Sequence, residues 1–567
     1  MTEPKQSVRK RNQPGAGGGR KGGTPKGRQI DTVAQTEIRQ LLAGSPRRRD
    51  YLIEYLHLLQ DGFGYLSAAH LVALAEQLRM PLAEVYEVAS FYSRFDLVRE
   101  GEEPPPALTV RVCDSISCEL AGARDLLAEL AAQAGDTVRV IRAPCMGRCD
   151  QAPVVEIGQY HLGEATCPSV MKAIDDGRIQ CRMPAFTDYD SYVDEGGYRL
   201  LRSCLNGERQ IEDILSELER SELRGLGGAG FPAGRKWRIV RDYPGPRALV
   251  VNADEGEPGT FKDRHYLERD PHRFIEGMLL AAWAVEAHAC YLYLRDEYPA
   301  LRALLSAELD RVAAEGLIGG LKVELRRGAG AYICGEESAM IESIEGKRGL
   351  PRNRPPYLAE AGLFGRPTLV NNVETLYWVR DILQRGASHF AGAGRNGRKG
   401  WRSFSVSGRV SNPGVKLAPA GSTVRELIDE HCGGMQAGHS FKAYLPGGAS
   451  GGILPAALGD RPLDFGTLEP YGCFIGSAAI VVFSDQDNMR DVALNLMRFF
   501  AEESCGQCTP CRVGTEKAVH LMERAEWDTA LLLELSGVMA DASICGLGQA
   551  AANPINSMLR YFREDLQ

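Results

Sequence analysis

The chain is 567 residues long, more than one hydrophobic core can organise, which predicts about three to five domains. Its 44% hydrophobic and 25% charged residues are those of a globular protein and exclude a disordered or fibrous chain. The net charge of −8 is uneven: residues 1–30 hold eight Lys and Arg against the single acid Glu3, a tail of about +7 ahead of a body of about −15. An acidic body and the lack of aromatic interleaving disfavour nucleic-acid binding, and the tail reads as a solvated arm that docks on a partner.

In chain order, the basic tail 1–30 has no apolar stretch behind Arg9-Lys10-Arg11, so it is not an export signal and a cytoplasmic protein is expected. Segment 31–100 predicts short helices, because Ile38, Leu41, Leu42 and then Tyr51, Leu52, Tyr55, Leu56, Leu59 recur at helical spacing. Gly101 to Pro106 is a linker, and 106–186 follows as a small domain. Within it a strand at Leu108–Cys113, a helix at 121–133 and a strand at 137–143 give the β-α-β order of a thioredoxin-like fold. Segment 187–400 alternates Gly-rich loops with buried-looking runs such as 247–252, which predicts an α/β domain with a parallel sheet. The longest apolar run, 274–294, is broken by Glu276, Glu286 and His288 and predicts a buried helix rather than a membrane span. Segment 401–485 changes to a small β-rich domain, with a hairpin around Asn412-Pro413-Gly414 and a helix near 424–430; from 486 to 567 the pattern is helical again.

Eight of the fifteen cysteines form two clusters. Cys113 and Cys118, then Cys145 and Cys149, each follow a predicted strand, so the two pairs can meet at one end of a sheet and hold either a [2Fe–2S] cluster or a tetrahedral zinc. Cys505, Cys508 and Cys511 pack three thiols into seven residues, suited to three corners of a [4Fe–4S] cube, and Cys545 is the one later cysteine that can supply the fourth. The remaining seven (Cys167, Cys181, Cys204, Cys290, Cys334, Cys432, Cys473) are isolated and read as buried, inert thiols.

Between the clusters, 224–237 sets five glycines before a helix, a loop whose backbone N–H groups can approach a phosphate or a flat ring. Asp254, Glu255 and Glu257 follow a buried strand, where carboxylates are costly unless they meet ligand groups or cations; an exposed acidic turn is the plain alternative. Further segments run from Gly328 to Ser338, from Arg354 to Tyr357 and from Pro367 to Thr375.

In these motifs and their order, residues 187–560 resemble the NADH- and FMN-binding subunit of respiratory complex I and its relatives. Residues 51–174, with the Val88-Ala-Ser-Phe-Tyr run and Cys145-Met-Gly-Arg-Cys149, resemble the thioredoxin-like [2Fe–2S] subunit of the same complex. The resemblance implies an α/β multidomain chain: thioredoxin-like [2Fe–2S] domain (106–186), Rossmann-like FMN- and NAD-binding domain (187–400), β-grasp-like domain of SLBB type (401–485) and C-terminal helical bundle with [4Fe–4S] (486–567). It assigns Gly225, Gly227, Lys236, Asn252, Asp254, Gly335, Asn371 and Asn372 to FMN, and Phe231, Glu257, Tyr332, Glu336 and Tyr357 to NAD(H). No general acid or base is implied, because hydride transfer to flavin needs none. The interval from Cys511 to Cys545 is several residues shorter than in complex I, which suggests a trimmed helix pair. Both subunit types on one chain resemble the diaphorase (beta) subunits of NAD-dependent formate dehydrogenases and NAD-reducing hydrogenases. The 22 cysteine-free residues after Cys545 disfavour the electron-bifurcating hydrogenase subunits, which often add further clusters there, and the intact first quartet favours the formate dehydrogenase type. The expected partner is then a catalytic alpha subunit bearing molybdenum or tungsten and further iron–sulfur clusters. The alternatives are hydrogenase subunits or a complex I-type NADH dehydrogenase.

Overall fold

The computed structural model describes residues 28–566, so most of the basic tail lies outside the described residues. Helices Thr32–Leu41, Leu52–Phe63, Ala68–Leu78 and Leu82–Phe91 form an N-terminal block, joined by the two-residue parallel strands β1 (Leu66–Ser67) and β2 (Leu97–Val98). Leu52, Tyr55, Leu56 and Leu59 line one buried stripe of their helix, the face the spacing predicts.

After the linker, β3 (Leu108–Cys113) and β4 (Val138–Ala143) pair in parallel, and β5 (Val155–Ile157) and β6 (Tyr160–Leu162) extend the sheet in antiparallel, in the order β4-β3-β5-β6. Helix Ala123–Gln133 crosses over between β3 and β4.

The central sheet is fully parallel. Strands β7 (Arg247–Ala253), β8 (Ala287–Leu294), β9 (Lys322–Arg327) and β10 (Thr368–Asn372) lie in the order β10-β7-β8-β9. The chain steps outward from β7 to β9, then returns across the sheet to place β10 on the other side of β7. Leu249, Val251 and Ala253 point into a core with helices Pro271–Ala284, Pro299–Ala314 and Val373–Arg385. Ala248 and Val250 point the opposite way, toward helix Glu337–Ile344 and the N-terminal block. Both faces are covered, so β7 reads as a continuous apolar run.

Two local features differ from the sequence expectation. The run 274–294 is not one helix: helix Pro271–Ala284 gives way at Val285, the chain turns at Glu286 (φ 52°), and the rest is β8. Both pieces are almost wholly buried, so neither shows its period in hydrophobicity. Helix Ala233–Asp242 starts early enough that Gly234, one of the five glycines, lies inside its first turn.

The small domain is a mixed sheet of β11 (Trp401–Gly408), β12 (Gly414–Pro419), β13 (Phe441–Leu445), β14 (Leu454–Pro455) and β15 (Ala479–Ser484), ordered β12-β11-β15-β13-β14. Its helix near 424–430 is a short α turn, Val424–Glu426, that widens into a π turn at Leu427–His431. Helices Met489–Glu502, Thr509–Met522, Thr529–Ala542, Gly546–Ala550 and Asn553–Tyr561 form the terminal bundle. Of the seven isolated cysteines six are buried, whereas Cys181 is half-exposed.

Candidate functional site

The return from β9 to β10 puts helices on opposite faces of β7 and β10, and a crevice opens beyond the carboxyl ends of these two strands. Asn252 near the end of β7 pairs in register with Asn372 at the end of β10. A cavity of about 300 Å³ lies there. Of the residues assigned to FMN by resemblance, Gly227, Asn252, Asp254, Gly335 and Asn372 line it; of those assigned to NAD(H), Glu257, Tyr332 and Glu336 do.

Asn252 Nδ2 donates to Gly335 O (2.8 Å), tying β7 to the Tyr332–Gly335 turn. Asn372 caps helix Val373–Arg385 and donates through Nδ2 to Asp263 (2.6 Å). Gly228, with φ of 135°, turns the glycine loop along the cavity wall in a conformation that a side chain would strain. Tyr332 donates its hydroxyl to Glu257, whose other oxygen accepts from Ser450 N and Oγ (both 2.8 Å). Burial raises the Glu257 carboxyl above its usual range. Glu336 is held as the cap of helix Glu337–Ile344 and accepts from Arg354 (2.7 Å).

The remaining assigned residues stand outside the lining. Gly225 donates its N–H to Phe231 O (2.8 Å) at the base of the glycine loop. Lys236 pairs with Glu337 (3.1 Å), and buried Asn371 accepts from Trp237 Nε1 (2.8 Å). The rings of Phe231 and Tyr357 are 42% and 61% exposed.

The cavity also has walls that sequence reasoning misses. Ser450, Phe474, Gly476 and Ser477 come from the small β domain, and Gly546, Leu547 and Ala550 from the terminal bundle. Lys262 is 1% exposed between Asp263 (2.8 Å) and Glu374 (3.1 Å). Burial alone would lower its ammonium, but Asp263, Glu374 and Glu255 hold it above the usual lysine range. Lys262 and Asp263 stand just beyond the acidic triplet in sequence, a signal present without a role attached. The serines and the bundle residues carry no local signal.

The wall fits a flat, polar group that brings hydrogen-bond donors. Gly227, Gly228, Gly256, Gly335 and Gly476 let a ligand approach closely, five carboxylates (Asp254, Glu255, Glu257, Asp263, Glu336) stand beside the one buried ammonium of Lys262, and Asp254 Oδ2 has no partner among the described residues. Burial pushes the Asp254 carboxyl up to about 8, so a ligand donor there would relieve an unmet group.

Both cysteine quartets lie close by. Cys113 is the last residue of β3 and its thiol reaches Cys118 and Cys145; Cys145 Sγ is 3.4 Å from Cys149 Sγ. All four are buried, and none is in a disulfide. Cys118, Cys113, Cys145 and Cys149 follow one another in contact, and Cys149 also feels the charge of Cys118, so the two sequence pairs share one place. Two pairs are what the two irons of a [2Fe–2S] rhomb require. Their loop is gripped by the central domain: Arg264 donates to Gly147 O (2.7 Å) and Asp150 (2.9 Å), and Arg295 to Cys145 O (2.6 Å) and Glu255 O (2.5 Å). Phe261 packs on Cys145 and Cys149.

In the second quartet Cys511 is buried, while Cys505, Cys508 and Cys545 are half-exposed. Cys511 feels the charges of Cys508, Cys545 and Cys505. The N–H groups of Leu547 and Gly548 bond to the Cys545 sulfur at the start of helix Gly546–Ala550, while burial raises its thiol overall. Gly546, next in the chain, lines the cavity, and Glu503 accepts from Tyr332 N (2.9 Å). The shortened 511–545 interval still brings Cys545 close enough for Cys511 to feel its charge and for Cys545 to feel that of Cys505.

Matches to known families follow the same order along the chain. They are a thioredoxin-like [2Fe-2S] ferredoxin over residues 38–178, the Nuo51 FMN-binding domain over 218–381, an SLBB domain over 403–454, and the NADH-ubiquinone oxidoreductase-F iron-sulfur binding region over 491–567. The chain is 43% identical over 375 residues to the mitochondrial NADH-ubiquinone oxidoreductase 51 kDa subunit of Neurospora crassa, covering 62% of this chain and 76% of that protein. It is also 44% identical over 373 residues to the mitochondrial NADH dehydrogenase [ubiquinone] flavoprotein 1 of Dictyostelium discoideum, covering 62% and 78%. Among solved structures, a chain of an NAD+-reducing [NiFe]-hydrogenase in the H2-reduced state superposes with a TM-score of 0.81 at 32% identity, over 92% of both chains.

Proposed function

The chain belongs to the family of the 51 kDa flavoprotein subunits of NADH-ubiquinone oxidoreductase, with FMN, NAD, [2Fe–2S] and [4Fe–4S] as its cofactors, and on that premise we propose that it serves a formate-oxidising partner by reducing NAD. Bound FMN supplies the exchange between two-electron hydride and single electrons that iron–sulfur clusters demand. This chain's residues do the holding: the glycine loop, Asn252, Asp254, Gly335 and Asn372 seat the flavin, and Lys262, paired with Asp263 and Glu374, holds those carboxylates in place at the wall. Tyr332, fixed by Glu257 and Glu503, and the capped Glu336 line the side where nicotinamide nucleotide enters. The exposed rings of Phe231 and Tyr357 flank that entrance, and Gly225, Lys236 and Asn371 support the loop and strand behind it.

The observation that carries the formate reading is the intact, buried Cys113/Cys118/Cys145/Cys149 quartet. The partner's docking face is read from the half-exposed Cys505 and Cys508 together with Val513, Leu533, Val538 and Ile544, apolar side chains exposed on the same bundle. A second reading, a hydrogenase partner, is favoured by the near full-length likeness to the NAD+-reducing [NiFe]-hydrogenase chain. Assay of the native complex decides between them. Formate-dependent NAD reduction without hydrogen uptake is expected, and hydrogen-dependent NAD reduction would replace the first reading by the second. The chain alone should reduce artificial dyes with NADH and oxidise neither formate nor hydrogen.

A further inference from the structure

The segment from Gly328 to Gly335 leaves the end of β9 and carries Tyr332 and Gly335 to the cavity wall. Beyond the strand its carbonyls have no neighbouring strand to bond, yet three in succession are taken by the N-terminal block. His57 Nε2 lies 2.8 Å from Gly328 O. Arg94 N–H donates to Ala329 O (3.1 Å), and Ser93 donates to Gly330 O through both N–H (3.1 Å) and Oγ (2.6 Å). Gly330 adopts φ of 76°, and a Cβ there would stand 2.7 Å from Ser93 Oγ and 2.8 Å from Arg94 Cγ, so the side chains of the clamp leave no room for one at this position.

The clamp is itself anchored. His57 is 3% exposed, packs edge-on to Phe95 at 4.8 Å, and is held neutral by burial, so Nε2–H is the donor. Arg94 reaches Glu156 on β5 (2.7 Å), Asp296 (3.3 Å) and Glu297 (3.8 Å), joining the block to the [2Fe–2S] domain and the central domain at once.

We propose that His57, Ser93 and Arg94 are positioning residues for the nicotinamide-nucleotide site: by occupying the carbonyls of Gly328, Ala329 and Gly330 they fix the segment that presents Tyr332. The block that precedes the [2Fe–2S] domain thus sets nucleotide affinity in a domain more than two hundred residues away in sequence. The inference rests on reading Tyr332 as facing the nucleotide.

The test uses the full chain carrying its FMN and both clusters, with His57→Leu, His57→Gln, Ser93→Ala and Tyr332→Ala. Three quantities are measured: FMN and iron content, NADH KM and kcat with a dye acceptor, and amide hydrogen exchange of 328–335. His57→Leu should raise KM about tenfold with kcat changed less than about twofold, as expected when a buried carbonyl loses its partner and binding alone suffers. Exchange in 328–335 should quicken, and His57→Gln, which keeps a donor, should restore both. Ser93→Ala should raise KM about threefold, since Gly330 O keeps the Ser93 N–H. Unchanged KM in both clamp variants, with Tyr332→Ala raising it, overturns the clamp alone; an unmoved Tyr332→Ala overturns the nucleotide reading of that segment. If His57→Leu sheds its FMN, Ser93→Ala carries the same comparison.

Discussion

The two cysteine quartets are built on opposite scaffolds. Cys113, Cys118, Cys145 and Cys149 sit at the end of a sheet, wholly buried, under a loop pinned by Arg264 and Arg295. Cys508, Cys511 and Cys545 sit on helix starts and Cys505 in the loop before the first of them, at the molecular surface, three of the four half-exposed. Both lie near the same cavity: Glu257 on its wall feels the charge of Cys145, and Gly546, also on its wall, follows Cys545 in the chain. Electrons leave a protein only from a centre near its surface, so exposure separates an outlet from an internal store. The first quartet is built to be shielded and the second to be approached.

The largest expected effect is at the outlet. Cys508→Ser should retain NADH-to-dye activity and abolish electron exchange with the partner, measured after flavin content has been shown intact; coupled turnover at the wild-type rate would break the assignment of outlet and store. Next comes the grip on the buried quartet. Arg264→Met removes a buried guanidinium from Gly147, Asp150 and Glu268, and should destabilise that interface by about 3 kcal/mol. The expected signature is a lower apparent Tm and a weakened [2Fe–2S] electron paramagnetic resonance signal beside an unchanged [4Fe–4S] signal.

Iron content sharpens the same contrast. Anaerobic protein should hold about six irons, and an oxidant with chelator should remove about four before the last two. Loss of two first would show that exposure does not govern access, and one zinc with four irons would unmake the [2Fe–2S] assignment. The smallest effect is predicted for Cys118→Ser, which should leave most of the coupled activity in protein that keeps FMN and the [4Fe–4S] cluster. Arrest of coupled turnover there would make the buried cluster part of the route.

How far the sequence can be read depends on range. The strand at Leu108–Cys113 is legible to the residue because alternation, a linker before it and a cysteine pair after it lie within a few positions of one another. The 274–294 run misleads because burial on every side erases the period that distinguishes helix from strand. The resemblance assigns Glu336 and Asn372 to ligands, and the fold uses each of them to cap a helix, a task no spacing rule could separate from the other.

By itself, the sequence determined the parts whose chemistry is local. Thiol spacing limits which clusters can form, and glycines and carboxylates mark where backbone and charge meet a ligand. Tertiary structure alone decided how those parts combine. Ser450 and Ser477 complete the cavity from the small domain, Cys545 joins a trio 34 residues earlier, and His57 closes on Gly328 across 271 residues. The reason is physical: hydrophobic periodicity reports that a face is buried, but apolar contact is non-directional, so the identity of the surface that covers it is settled only when the whole chain packs.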